Sequence, residues 1–318
     1  MATHSLNLSG VLTETKRIIN AHSRHFLALS VIFLLPLSFS LIVYPSISIS
    51  PSSLSHYHQT LFFFSSPDLN IPPINKSDLI PPILYALFVL LLSLCATSSV
   101  TYSTFHGFYG RPVKFISSIK SVLFSLFPLI STLIITQAIL GFIVFAFSCL
   151  AALVFQSISL LGFQIDYHNS FYFIILALII AVLIYLQVEF SLSSVIVVVE
   201  SQWGFAPLRR SSYLVKGMKR VAFSMIMLFG MLIGFLGMLC SSLVPDNRLD
   251  YAFILQTVVY TGFMTIVMLY SVAANAVLFM YCKALRGELA FEIAEEFAQE
   301  YVSLPFDDGK VPHVVYVV

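Results

Sequence analysis

The sequence predicts an all-α polytopic membrane protein, a bundle of six transmembrane helices with interfacial helices on its cytosolic side. Three observations carry this. Of 318 residues 58% are hydrophobic and only 10% charged. A soluble domain usually carries about a quarter charged residues, so a chain with this little charge needs the bilayer as solvent for much of its surface. The apolar residues fall into six long runs, and the basic residues collect in alternate connections. With a net charge of +1, no global basic signal for nucleic acid exists.

Residues 1–25 form the first segment. Leu8, Val11, Leu12, Thr15, Ile18 and Ile19 recur at helical spacing, with Glu14, Lys16 and Arg17 elsewhere on the wheel. Asn7 or Ser9 suits the start as a cap. Two readings stand: an amphipathic helix lying on the membrane surface, or a solvated helix leading into the first span. The segment lacks the order of a cleavable signal peptide, so the first span is expected to stay in the mature protein.

The spans are expected at residues 26–44, 80–101, 122–147, 171–199, 221–244 and 253–281. About 20 apolar residues cross a hydrocarbon core of about 30 Å. Pro36 removes a backbone donor inside the first span and predicts a kink. Residues 45–79 are Ser- and Pro-rich and read as the longest loop. It holds the short apolar run 61–64, His56 and His58, and an N-glycosylation pattern at Asn75. Pro81 and Pro82 suit the first turn of the second span. That span's second half, residues 93–99, is rich in small residues that let membrane helices approach closely. The third apolar run extends from Val122 to about Phe155, longer than one core thickness, which predicts tilt or an end in the interface. In the fifth span, Gly230, Gly234 and Gly237 form a GxxxG-type pattern, read as packing inside the bundle. After Lys283, Leu285, Leu289, Ile293 and Phe297 step every four residues among glutamates. Residues 283–318 thus read as an acidic amphipathic tail.

Charge sets the topology. Lys16, Arg17 and Arg24 precede the first span; Arg111, Lys114 and Lys120 follow the second; Arg209, Arg210, Lys216, Lys219 and Arg220 follow the fourth; Lys283, Arg286 and Lys310 follow the sixth. Only Lys76 and Arg248 fall on the other side. This bias places both termini in the cytosol, in the plasma membrane or the endoplasmic reticulum.

The basic island, residues 200–220, is the most distinctive stretch. Pro207 suits a first helical turn. Continued helically, Arg209, Lys216 and Arg220 share a face, with Leu208, Ser211, Ser212 and Val215 on the other side. A basic helix against a cytosolic leaflet attracts anionic lipid, at about 1 kcal/mol per base. The glutamates of the tail emerge on the same side and offer an alternative partner. Trp203 is placed for the aromatic belt.

Glu189 is the sharpest single residue. A carboxylate within a span is costly unless paired, protonated or wetted. One reading is a proton or cation site in a transport path, with Gln137, Gln187 and Asn275. The other is a protonated or hydrogen-bonded contact between helices. No partner base and no Ser/His pair at matching depth is apparent from the sequence. Neither a GxSxG, HExxH, P-loop nor dinucleotide pattern occurs. Cys95, Cys149, Cys240 and Cys282 are widely spaced, which argues against a disulfide framework or zinc site. Cys282, beside Lys283, reads either as a small buried residue or as a palmitoylation position. No cofactor or metal is expected, and the partners expected are membrane lipids.

From Glu200 the chain reads E-x-x-W-G-F-A-P-L-R-R-S-x-x-L-V-K-G, and it opens L-x-G-V-L-T-E-T-K-R-I-I-N-A-H. Together these resemble a plant family of six-span membrane proteins without an established activity. The resemblance covers most of the chain. The core of the island is also similar to the membrane domain beside some bacterial glycerophosphodiester phosphodiesterases, from which it departs at Ala206-Pro207-Leu208. That resemblance implies a membrane domain only; the phosphodiester chemistry belongs to a separate domain, so no catalytic residue carries over. The leading expectation is a non-enzymatic protein that organises lipid or scaffolds partners. The alternative is a transporter or channel using Glu189.

Overall fold

A computed structural model of the chain describes residues 7–48, 76–111, 115–160, 168–242, 251–291 and 293–294. Asn75, the loop histidines, the run 61–64 and the end of the tail lie outside the described residues. The described residues form helices joined by turns: α1 (Leu8–Ala21), α2 (Ser23–Leu29), a π-helical turn (Ser30–Leu34), α3 (Leu35–Ser48), α4 (Lys76–Phe108), α5 (Phe115–Leu160), α6 (His168–Glu189), α7 (Ser193–Glu200), α8 (Ala206–Val215), α9 (Lys219–Ser242) and α10 (Tyr251–Leu285). Among the described residues six helical segments are long and apolar enough to cross a membrane, the first being α2 to α3. This is the expected all-α bundle.

The last span, α10, forms the centre. Ala273, Ala274, Val277, Leu278 and Phe279 are fully enclosed. Small residues at this helix's crossings let α1, α3, α4 and α9 close around it. Ser38 on α3 meets Thr265 Oγ1 at 2.7 Å and donates toward the Thr261 carbonyl, a polar clasp between the first and last spans.

The amphipathic α1 does not lie free on a surface. Its apolar face, Val11, Ile18 and Ile19, belongs to the same core as α10. Burial against protein satisfies that face as lipid would have. Gly107 permits the approach: a Cβ there would stand 3.0 Å from Ile18 Cγ2. At His22 the helix breaks, and α2 leads directly into the first span.

Pro36 acts through its neighbours. The π-helical turn at Ser30–Leu34 ends two residues before it. A wider turn there accommodates the hydrogen bond that proline cannot donate. Pro81 and Pro82 lie inside α4 rather than at its start, because the helix begins at Lys76. Their missing donors fall opposite carbonyls near the helix's open beginning, where the loss is tolerable. The α5 helix continues unbroken through Pro128 for 46 residues, beginning at Phe115 and running past 147.

The fourth span departs most from expectation. Instead of one helix through 199, it stops at Glu189 and restarts at Ser193. Within the break Ser191 and Ser193 hydrogen-bond the carbonyls three residues back, through both N–H and hydroxyl. Serine's short hydroxyl competes with the regular helical ladder in this way.

The glycines of α9 also differ from expectation. Gly230, Gly234 and Gly237 face outward, and a Cβ on any of them would meet nothing within 4 Å. They do not mediate packing inside the bundle. The buried face of α9 is instead carried by Ala222, Met225 and Phe229.

Candidate functional site

Among the described residues, the ion-paired groups of the island gather at one end of the bundle, where α8, the end of α7 and the end of α10 meet. The chain leaves α7 through Ser201, in the left-handed region at φ 53°, and turns again at Gly204, at φ 78°. Two such residues in close succession reverse the chain between α7 and α8, and only glycine adopts that conformation at no steric cost. Pro207 then sits in the first turn of α8, as its fixed φ favours.

α8 is amphipathic. Leu208, Ser211, Leu214 and Val215 are buried, and Arg209 and Tyr213 are exposed. It ends at Val215, and a turn through Met218 separates it from α9. Lys216 therefore stands on a turn, while Lys219 and Arg220 begin the fifth span. The single continuous basic helix expected from the sequence is thus two helices with a corner between them. Gly217 and Met218 supply that corner.

The five bases of the island divide into two groups. Arg209, Lys216 and Arg220 are exposed, whereas Arg210 and Lys219 are half-buried in ion pairs. Lys219 Nζ bonds Glu189 Oε1 and lies 3.3 Å from the Tyr185 hydroxyl. Glu189 is buried, its Oε2 has no hydrogen-bond partner of ordinary geometry, and the Ser212 side chain lies by the carboxylate. Beneath it, Ser211 Oγ donates to the Glu189 carbonyl at 2.7 Å and accepts from the Leu192 N–H at 3.2 Å. One serine of α8 thereby closes the break in the fourth span. Gln137 and Gln187, grouped with Glu189 by the sequence, point outward; Asn275 is half-buried on α10. A buried carboxylate demands a counter-charge, and Lys219 supplies it more directly than any amide.

Arg210 anchors the second network. Its Nε lies 3.4 Å from Glu200 Oε2, and Nη1 donates to Glu288 Oε1 at 3.2 Å while Nη2 bonds Glu288 Oε2. Lys283, buried at the end of α10, places Nζ 3.6 Å from Glu200 Oε1. Burial alone would lower the pKa of Arg210; the Glu288 hydrogen bond and the Glu200 charge outweigh it and hold that pKa above its ordinary value. Arg286 completes the join: its Nη2 donates to the Tyr213 carbonyl at 2.6 Å, and its guanidinium lies 4.1 Å from the Tyr213 ring centroid. The acidic tail thus meets the basic helix through Glu288.

A third polar group links the first three spans. His25 Nε2 lies 2.9 Å from Ser103 Oγ, and Ser103 Oγ lies 3.1 Å from Ser118 Oγ. The sequence concealed this Ser/His pair, since 78 residues separate its members. Ser103 Oγ also donates to the Ser99 carbonyl at 2.7 Å, so its proton is directed away from the imidazole. This arrangement ties the first three spans together. Among the described residues no three His, Cys, Asp or Glu side chains come together as a metal site. Cys282 is enclosed, and burial excludes an acylating enzyme from its sulfur. Cys95, Cys149 and Cys240 are likewise free thiols.

The fold and this charged end define an integral multi-pass membrane protein of the helical-bundle class. The chain belongs to the family described as Domain of unknown function (DUF8558), whose model matches residues 2–310. No curated protein and no solved structure matches the chain.

Proposed function

We propose that this is a non-enzymatic membrane protein with both termini in the cytosol, and that it engages anionic lipid through the exposed bases of its island. The single observation behind this reading is the division of those bases. Arg210 and Lys219 are taken up by internal carboxylates, which leaves Arg209, Lys216 and Arg220 on the outer surface. Exposed Trp203, Phe205 and Tyr213 flank them. Aromatic rings beside bases, at the end of a membrane bundle, suit the boundary between headgroups and acyl chains. The gathering of the island and the start of the tail at one end is consistent with their sharing the cytosolic side. Glu189 serves this surface as an anchor, since its ion pair fixes the start of α9 against the end of α6.

Three bases near a leaflet contribute about 3 kcal/mol, or roughly a hundredfold preference for anionic over zwitterionic lipid. The test reconstitutes the chain in phosphatidylcholine nanodiscs and measures its association with spin-labelled anionic lipid. Substituting Arg209, Lys216 and Arg220 together by Gln should abolish most of that preference. An unchanged preference in a folded triple variant refutes the reading.

A further inference from the structure

We infer that Glu288 occupies at Arg210 the place of a lipid phosphate, so that the segment 288–291 just after Gly287 is a latch released by an anionic headgroup. This rests on the lipid-engaging surface proposed above and names its regulation. Arg209 and Arg210 are neighbours on α8, yet only Arg209 faces outward. Both Arg210 terminal nitrogens are held by the two Glu288 oxygens. This forked contact is the one by which a guanidinium also takes a phosphate.

The two carboxylates on Arg210 are not equivalent. Glu200 is the more enclosed, at 14% side-chain exposure, and is shared with Lys283. Glu288 is 29% exposed and stands one residue beyond Gly287, whose φ of +75° ends the path of α10. The Glu200 contact is a fixed part of the bundle. The Glu288 contact is made by a segment that glycine allows to turn aside. Charge gives the same order. The Arg210 guanidinium is shared between Glu200 and Glu288; with Glu288 withdrawn, only the Glu200 contact, at 3.4 Å, remains on it. A headgroup phosphate takes the vacated place, and neighbouring Arg209 adds to its attraction. Arg286, held on Tyr213, keeps the released segment close for return.

The experiment uses the full chain in phosphatidylcholine nanodiscs, with and without phosphatidic acid, whose phosphomonoester suits a guanidinium fork. Hydrogen exchange is followed at the amides of residues 288–291, together with association of spin-labelled phosphatidic acid. Exchange at these amides should rise about tenfold with phosphatidic acid, as expected when a local contact opens. Glu288→Gln should show the faster exchange in phosphatidylcholine alone and bind the labelled lipid severalfold more. Inorganic phosphate added to phosphatidylcholine discs should leave exchange unchanged; acceleration by phosphate alone overturns the assignment to lipid. Normal association of phosphatidic acid with unaltered exchange, and no gain in Glu288→Gln, overturns the latch while sparing the surface reading. Absence of association in both proteins overturns the two together.

Discussion

The join between Arg210 and Glu288 lends itself to a double-mutant cycle. Their side chains are 27% and 29% exposed, so the pair is worth less than a fully buried one but more than a surface contact. A hydrogen bond to a charged group contributes about 1.5–3 kcal/mol, and the partial exposure favours the lower end. Arg210→Gln loses the bonds to Glu288 and also weakens the hold on Glu200, which keeps Lys283. We expect it to cost about 2–3 kcal/mol, against about 1.5 kcal/mol for Glu288→Gln. Because the second change removes nothing that the first left intact, the double variant should resemble Arg210→Gln. The coupling is then about 1.5 kcal/mol. The assay is thermal unfolding of the purified chain in one fixed detergent, where such losses correspond to shifts of a few °C. Effects that add to within about 0.3 kcal/mol would show the residues to be independent and refute the reasoning.

Other substitutions probe the remaining contacts by the same assay. Ser211→Ala strands both the Leu192 N–H and the Glu189 carbonyl, and should cost about 2 kcal/mol; a neutral result would mean the break in the fourth span closes without it. Lys219→Met should destabilise more than Lys219→Met combined with Glu189→Gln, because only the single variant leaves a buried carboxylate uncompensated. Gly230→Ala and Gly234→Ala should each be neutral or stabilising by up to about 1 kcal/mol, since each methyl enters open space on a helix; a marked loss would place those glycines at a contact. Gly287→Ala should cost about 1 kcal/mol by forcing a side chain into the left-handed region.

The architecture was legible because hydrocarbon imposes a length and composition that few other constraints override. The helices that hold the second and sixth apolar runs continue past 101 and 281, to Phe108 and Leu285. What the sequence concealed were matters of direction and distance. Gly230, Gly234 and Gly237 form the pattern of a packing motif, but which way a helical face points depends on neighbours that the pattern does not specify. Lys219 lies 30 residues from Glu189, and Glu288 lies 78 residues from Arg210. Only the fold brings them within reach. The break in the fourth span had a local signal in Ser191 and Ser193, outweighed by the apolar residues around them. The amphipathic pattern of α1 was plain, yet lipid and protein satisfy an apolar face equally well, and periodicity does not distinguish them.

The unbroken α5 bears on the membrane itself. At 46 residues it runs about 69 Å, more than twice the hydrocarbon thickness of about 30 Å. Transmembrane helices tilt by up to about 40°, which does not absorb such a length. Packing against α4 and α7 holds one part of the helix, so the excess falls on its far portion, where Phe142, Phe145, Leu150 and Leu153 are exposed. A hydrophobic length beyond the local hydrocarbon thickness is taken up by tilt, by local thickening of the bilayer or by an end lying in the interface. Each of these costs less where the hydrocarbon layer is thicker, so by length alone such a helix fits a thick bilayer with less distortion than a thin one.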